Sequence, residues 1–423
     1  MTASPPTDPS AAPPACQGCG AALDHSLVDL GDQPLVNAYV PPECAGAPEP
    51  VYPLHAWVCD RCLLVQVNQV LPPDRIFSDY AYFSSYSDSW LAHARDYADA
   101  MVERFGLGPQ SQIAEIASND GYLLQYFLAK GLSAYGIEPA ANVAKVAIDR
   151  GIPTEVAFFG EETARRLAAA GRSADLLAAK NVLAHVPDVN DFARGIRILL
   201  KPDGVFTVEF PHLLNILREV QFDTIYHEHF TYLSLLAVRT LFERHGLAIF
   251  DVERQPTHGG SLRVFASRRE AGREPGESVE CILAEERAAG LDRPEGYDGF
   301  EPRVRAVRDG LLAFLGETRA AGKTIAAYGA AAKGNTLFNY CGVTVDDIPF
   351  VVDRNPVKQD MLLPGSRIPV RPVEALVEAR PDRVLIIPWN LTDEIVAQLP
   401  EVGGWGGRFV TAIPEIRLHD PAG

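Results

Sequence analysis

Ile113-Ala114-Glu115-Ile116-Ala117-Ser118-Asn119-Asp120-Gly121, running straight into Tyr122-Leu123-Leu124-Gln125-Tyr126-Phe127-Leu128-Ala129-Lys130-Gly131, decides the fold of this chain. An apolar run of strand length, a polar turn ending in glycine and a helix-forming stretch make the first strand-turn-helix of a Rossmann-like unit. The next strand, Ala134-Tyr135-Gly136-Ile137-Glu138-Pro139, ends on an acid. The separation of Glu115 from Glu138 suits a nucleoside site, in which the second acid accepts both ribose hydroxyls. A dinucleotide would call for GxGxxG, whose second glycine makes room for a pyrophosphate at the helix N-terminus. Here Glu115, Ala117, Ser118, Asn119, Asp120 and Gly121 supply acids, an amide and one glycine, which suits a cationic amino acid and a sulfonium. S-adenosylmethionine fits this turn, with Glu138 and Pro139 at the second strand tip, and a nicotinamide dinucleotide does not.

Outward from this unit the helix and strand patterns keep alternating, as in an α/β domain with a mainly parallel sheet. Residues 90–106, WLAHARDYADAMVERFG, carry the apolar spacing of an amphipathic helix. DLLAAKNVL, from Asp175, and GVFTVEFP, from Gly204, read as further strands. Asn181 lies at the tip of the first of these and joins the expected cofactor contacts. His185 follows it in KNVLAHVPD, and two readings are open: a satisfied core or capping histidine, or a ligand presented from a strand tip.

A third region repeats the pattern. KTIAAYGA at 323–330 reads as a strand, AAKGNTLFNYCG as the start of a helix, and IPFVVDRNP, DRVLIIPWN and GRFVTAIP as further strands. Gly329 and Gly334 free the backbone at a strand-to-helix turn where Lys333 adds a charge, so an anion can sit on the helix N-terminus. Arg354 and Lys358 extend a basic rim past the next strand. A plain structural loop reads the same way.

The N-terminal region is of another kind. The seven cysteines include two CxxC pairs, Cys16/Cys19 and Cys59/Cys62, while Cys44, Cys281 and Cys341 stand alone. Two such turns supply four soft ligands to one tetrahedral zinc, and four thiolates leave no open coordination position, so the zinc is structural. Past Pro72-Pro73, the stretch FSDYAYFSSYSDSW packs aromatics among serines, and reads either as a packed linker or as hydroxyls reaching over a polar ligand.

The stretch Tyr226-His227-Glu228-His229 puts a phenol, two imidazoles and a carboxylate in four consecutive positions, beside Phe230 and Tyr232. This is an active-site composition, although a solvated loop can carry the same residues. Composition narrows the partners. With 38 Lys and Arg against 55 Asp and Glu, the formal charge of −17 disfavours a nucleic acid. No apolar run of about 18 residues suggests a membrane span. Residues 1–15 lack the basic start and apolar stretch of a secretory signal and read as a disordered tail, which places the protein in the cytoplasm.

Taken in order, CxxC…CxxC, EIASNDG…GIEP, IYHEHF, THGGSLRVF and YGAAAKGNTLFNY resemble the bacterial C-methyltransferases that build branched-chain deoxysugars from nucleotide-linked 4-keto-6-deoxyhexoses. The resemblance runs from Cys16 to about Ile413. It implies an α/β protein with a four-cysteine zinc-binding module and aromatic linker over 16–90, a Rossmann-like S-adenosylmethionine methyltransferase domain over 91–250 and a Rossmann-like domain over 251–423. By motif, His229 resembles the family's general base, Tyr226 and Glu228 lie beside it, and Tyr80 and His185 line the sugar pocket. Tyr82, Ser84, Lys333, Asn335, Arg354 and Lys358 are then expected on the nucleotide-sugar substrate. Ala117 departs from the pattern, standing where relatives often carry glycine. Tyr80 is chosen over Tyr82 by counting alone.

The chemistry points to the same residues. Removing a proton beside a ketone needs a base of near-neutral pKa and a donor to the developing oxyanion, tasks for histidine and a tyrosine hydroxyl, with Glu228 orienting an imidazole. The expected reaction is methylation at C-3 of a dTDP-linked 4-keto-6-deoxysugar, with structural zinc, no catalytic metal and no nucleic-acid or membrane partner. The alternatives are a C-5 acceptor, an NAD-dependent sugar oxidoreductase and a zinc-bearing nucleic-acid scaffold. The oligomeric state stays open.

Overall fold

The computed structural model describes residues 14–72, 84–86 and 88–421. Tyr80 and Tyr82, both expected on the substrate, lie outside the described residues. Three sheets organise the chain.

The N-terminal sheet contains β1 (His25–Gln33), β2 (Tyr52–Val58) and β3 (Val65–Val67), paired antiparallel. Ahead of β1 and between β2 and β3 lie the two CxxC turns. The long insertion between the pairs is β1, a loop and β2, so a hairpin does occupy it.

The central sheet holds β4 (Gln112–Ile116), β5 (Ser133–Ile137), β6 (Thr154–Glu155), β7 (Ala174–Lys180) and β8 (Leu200–Pro211), all parallel. Ile113, Ala114 and Ile116 are buried, and so are Leu176 to Ala179, because helices cover both faces and leave no solvated side to alternate with. One of those helices, Asp88–Phe105, buries Ala94, Tyr97, Ala98 and Met101, the spacing of a single helical stripe. Another, Val189–Leu199, starts at Asp188, whose carboxylate accepts the Asn190 and Asp191 amides and satisfies two otherwise orphaned donors.

After β8 the chain leaves the central sheet for β9 (Thr231–Tyr232), which pairs with β3 of the N-terminal sheet. It then returns as β10 (Leu247–Gln255) and β11 (Ser261–Arg268), and β11 inserts antiparallel between β8 and β10. The central sheet therefore continues to Arg268, past the boundary expected after residue 250. A hairpin edge follows the chain's hydrogen bonding, and nothing in the local pattern separates such an edge from the start of a new domain.

The third sheet has parallel strands β12 (Ile325–Tyr328), β13 (Val351–Val352), β14 (Val370–Arg371), β15 (Arg383–Ile386) and β16 (Arg408–Thr411), closed by antiparallel β17 (Arg417–His419). In both Rossmann-like sheets the strand order reverses beside the first strand, between β4 and β7 and between β12 and β15. Ligand crevices open at the carboxyl ends of strands at such switch points. Among the described residues no helix is long and apolar enough to cross a membrane.

Candidate active site

The four CxxC thiols are brought together. Their sulfur atoms all lie within 4.8 Å of one another, with Cys16 to Cys62 and Cys19 to Cys59 at 3.5 Å. Zinc–sulfur bonds of about 2.3 Å in a tetrahedron put sulfurs about 3.8 Å apart, so the cage fits zinc. Gln66 ties it to β3: its Nε2 donates to Cys16 Sγ at 3.2 Å and its Oε1 accepts the Gln17 amide at 2.8 Å.

At the β4–β7 switch point the turn from Ala117 to Gly121 is held from all sides. Ala117 has φ 54° and Asn119 φ 50°. The left-handed region costs a residue with a Cβ roughly 1–2 kcal/mol, which accounts for a glycine preference at 117 in a chain that carries alanine. Gly121 has φ 79°, and a Cβ there would meet Ile152 Cδ1 at 2.2 Å, so glycine is required for the turn to pack. Glu138 accepts the Asn119 amide at 2.9 Å and the Ala140 amide at 2.8 Å. Burial pushes this carboxyl up and the two amides oppose the shift. Each carboxylate oxygen keeps a lone pair for a further donor. Pro139 is half-buried beside it.

Ser84, expected on the substrate, packs instead on the cofactor turn. It is buried, and its amide donates to Asn119 Oδ1 at 2.9 Å. The next amide, of Ser85, reaches Asp120 Oδ2 at 3.3 Å, and Arg150 Nη1 reaches the same oxygen at 3.3 Å. Ser84 and Ser85 thus pack on the turn. A polar cradle of Glu115, Ser118, Asn119, Asp120 and Glu138, flanked by Ser84 and Ser85 and backed by left-handed backbone, fits S-adenosylmethionine.

Beneath the cradle sits a charge cluster that the sequence reading missed. Lys180 and Glu209 have side chains only 1% and 2% exposed and form an ion pair. Arg263 Nε reaches Glu209 Oε1 at 2.6 Å, and His93 Nε2 reaches its Oε2 at 2.9 Å. Burial opposes the charge on Glu209, but Lys180, His93 and Arg263 together hold its carboxyl below the usual range. Burial pushes Lys180 down to about 8. Glu115, fully buried beside Lys180, is raised well above the ordinary carboxyl value by burial, with Lys180 opposing. A glutamate inside the apolar run of β8 was the available signal, since buried charges occur paired.

The Tyr226–His229 segment is stitched between domains. Phe230 is 1% exposed, and its carbonyl accepts the Val67 amide at 3.0 Å while its amide donates to Ala184 O at 2.7 Å. Burying a phenylalanine contributes about 1.5–3 kcal/mol, enough to hold the preceding residues in one place. His229 Nδ1 donates to the Thr224 carbonyl at 3.0 Å, and His185 Nδ1 to the Glu228 carbonyl at 2.8 Å. The two imidazoles meet edge to face at 4.6 Å between centroids, and the Tyr226 ring lies 4.1 Å from that of His229. Burial drives His229 well below the usual imidazole value, with His185, His258 and Lys333 adding to it, and drives His185 to about 4. His229 is neutral, and its Nε2 has no hydrogen-bond partner among the described residues. His185 is thus held by the Glu228 carbonyl and packed edge-on against the His229 ring.

Two expectations are corrected here. The Glu228 carboxylate orients no imidazole: it accepts the Asn37 amide at 2.7 Å, and backbone carbonyls fix the rings instead. Asn335 is fully buried with its Nδ2 donating to Val36 O at 2.6 Å, so it ties the N-terminal domain to the helix Ala332–Cys341 and lines no open surface. That helix turns this face inward, and sequence spacing alone does not say which face packs.

The elements around the second crevice, between β12 and β15, are bonded to the segment that carries His229. Lys333 Nζ donates to Asn390 Oδ1 at 2.7 Å and lies 4.3 Å from the Trp389 ring centroid. Trp389 Nε1 donates to Asp223 Oδ2 at 2.8 Å, and Thr336 Oγ1 to Ile225 O at 3.0 Å, both crossing to the segment that leads into His229. Burial pushes Asp223 up to about 6 against the pull of Lys333. Lys358 Nζ donates to Ala330 O at 2.7 Å. Arg354 is exposed and bonds to Gln398 Oε1 at 3.2 Å, at the outer edge of the rim. Asn181, with φ 53°, meets His258 across the pocket.

Comparison with known proteins agrees with this geometry. Residues 16–77 match the family described as "Putative zinc binding domain", 90–252 that described as "Methyltransferase domain" and 256–414 that described as "C-methyltransferase C-terminal domain". The chain is 39% identical to the C-methyltransferase NovU of Streptomyces niveus over 95% of its own length and 96% of that protein. A ubiquinone biosynthesis O-methyltransferase of Methylobacterium sp. (strain 4-46) is 29% identical over 124 residues, 27% of this chain and 49% of that protein. Among solved structures, the magnesium protoporphyrin IX methyltransferase of Synechocystis PCC 6803 with bound SAM aligns with a TM-score of 0.34 and 15% identity, over 48% of this chain and 100% of that one. With a four-thiolate cage, a cradle that fits S-adenosylmethionine and a homologue matched along almost its entire length, the chain belongs to the C-methyltransferase family and is an S-adenosylmethionine-dependent C-methyltransferase.

Proposed function

We propose that the enzyme methylates C-3 of a dTDP-linked 4-keto-6-deoxysugar, with His229 as the base, in the cytoplasm. One observation carries this reading: a half-buried neutral imidazole whose Nδ1–H is committed to the Thr224 carbonyl and whose Nε2 lone pair has no partner among the described residues. Such a group is suited to remove a proton. A hydrogen beside a ketone is the kind of proton an imidazole can take, because the carbanion delocalises into an enolate.

The chain's own residues divide the work. Glu138 and the Glu115–Gly121 turn hold the methyl donor, which when bound supplies an electrophilic methyl on a sulfonium. Lys333 and Lys358 at the second crevice favour a diphosphate, and Arg354 extends the positive rim outward. Tyr226, in ring contact with His229, packs the base against the sugar face. His185, held by the Glu228 carbonyl, completes that wall. The Asp223–Trp389 contact carries the nucleotide-binding crevice onto the segment bearing the base.

The test is incubation with methyl-labelled S-adenosylmethionine and a dTDP-4-keto-2,6-dideoxyhexose, with the product read by mass and carbon NMR. A methyl on C-3 supports the reading; a methyl on C-5 moves the deprotonation to the other side of the ketone.

Two expected outcomes follow from the site. Glu138→Ala raises the dissociation constant for S-adenosylmethionine at least about tenfold, since it removes a charged acceptor worth about 1.5–3 kcal/mol in each hydrogen bond. Calorimetric titration reads it, and an unchanged constant removes Glu138 from the cofactor site. The second outcome concerns pH. A base works when neutral, and His229 stays neutral below the ordinary imidazole value of about 6.5 because burial lowers its pKa. The rate is therefore flat as pH falls through 6.5 and is lost only at more acid values. An acid limb centred at or above 6.5 in kcat/KM would point to an exposed base.

A further inference from the structure

His258 occupies a position that no role has yet explained. It sits in the turn joining β10 to β11 with φ 55° and ψ 30°, followed by Gly259 at φ 83° and Gly260 at φ 102°. Turns that need left-handed backbone normally take glycine; a residue with a Cβ there is uncommon, and histidine is among the few types that tolerate it. The surroundings leave the turn no alternative. A Cβ on Gly259 would lie 2.5 Å from Trp389 Cη2, and one on Gly260 2.2 Å from Asn215 Nδ2. Gln221 Nε2 donates to Gly259 O at 3.1 Å, and the His212 amide to Gly260 O at 3.0 Å. Strain of this kind persists where the structure over-determines it, which is typical of functional sites.

The imidazole so placed is exposed, with the Trp90 ring edge-on at 5.7 Å between centroids. Asn181 Nδ2 donates to its Nε2 at 3.0 Å. Asn181 is itself left-handed, so two strained residues meet in one hydrogen bond. With Nε2 accepting, the ring proton is on Nδ1, which has no partner among the described residues. Burial, and then the charge of Lys333, hold the ring neutral. Gly259, the next residue, is pressed on Trp389, whose indole holds Asp223 of the segment leading into His229, and His229 lies within electrostatic reach of the His258 ring.

Resting on the reading of His229 as base, we propose that His258 is a catalytic residue whose Nδ1–H donates to the sugar's ketone oxygen as that oxygen becomes an oxyanion. The step balances. The carbon–hydrogen bond breaks and its proton goes to His229 Nε2; its electron pair forms the carbon–carbon double bond, and the carbonyl π pair moves to oxygen. The Nδ1 proton stays on His258 throughout. A neutral imidazole is a suitable donor because it stabilises the oxyanion without giving its proton away.

The test is His258→Gly, a substitution that the left-handed backbone favours, with His258→Asn as the second variant. Deuterium exchange at the carbon beside the ketone, followed by NMR with no methyl donor present, reads enolate formation apart from methyl transfer. Loss of an oxyanion donor slows reaction by about 10²–10³-fold. Both variants are expected to lose exchange and kcat to that extent, with the S-adenosylmethionine dissociation constant within about threefold of wild type by the same scale, and added imidazole is expected to restore part of the exchange in His258→Gly. Exchange at the wild-type rate in either variant overturns the assignment, whatever happens to transfer. Loss of cofactor affinity overturns it too, placing His258 on the methyl donor. A wild-type enzyme that transfers methyl and exchanges, beside variants that do neither, supports both readings; a wild-type enzyme that does neither overturns the base and this inference with it.

Discussion

His229→Asn lowers kcat by about 10²–10⁴-fold, the usual contribution of a positioned general base, while S-adenosylmethionine binds as before. Asparagine is the informative replacement because its amide N–H can take over the donation to the Thr224 carbonyl now made by Nδ1 at 3.0 Å. The segment then keeps its path, anchored by Phe230 and by the pairing of Thr231 and Tyr232 with Gln66 and Val65. What disappears is the Nε2 lone pair. In free-energy terms the loss is roughly 3–5 kcal/mol of transition-state stabilisation. The measurement is kcat beside a cofactor titration. Turnover within about tenfold of wild type, short of the contribution expected of a base, would move that role to a neighbour such as Tyr226, and a weakened cofactor would show that the substitution disturbs the turn at 117–121.

Cys16→Ser, or removal of metal by a strong chelator, unfolds the N-terminal module and takes activity with it, although no cysteine approaches the reacting atoms. Structural zinc contributes its binding free energy to folding, on the order of 10 kcal/mol in small zinc modules, comparable with the net stability of a whole domain. Cys16 and Cys59 are buried, and without zinc their thiolates would have to be protonated or left uncompensated. The consequence reaches the active site by a traceable route. Gln66 bonds to Cys16 and lies in β3, β3 pairs with β9, and β9 begins two residues after His229. Metal content by mass spectrometry, thermal unfolding and kcat should fall together. Unchanged unfolding after metal loss would break the link between cage and fold.

Features that depend on near neighbours in the chain are legible from residue order alone. Two-residue cysteine spacing predicts a metal knuckle because both thiols of one tight turn face the same point, and the structure closes four of them into one cage. The strand-turn-helix at Ile113–Gly131 and the acid at Glu138 are legible because apolar runs and strand tips are local properties. The clustering of Tyr226, Glu228 and His229 marks a candidate active-site segment for the same reason.

Which way those groups face, and what they meet, follows from long-range packing. Glu228 turns to Asn37, far back in the sequence, and Asn335 to Val36. The ion pairs of Glu209 with Lys180 and Arg263 join β7, β8 and β11, and Asp223 joins Trp389 across a domain boundary. His258 reads in sequence as one residue of a glycine-rich turn, and becomes a candidate oxyanion donor only where that turn is pressed against Trp389, Gln221 and Asn215. A side chain's direction is set by steric and hydrogen-bond partners that the chain brings together only on folding, so composition and spacing locate the reactive residues while packing assigns their atoms.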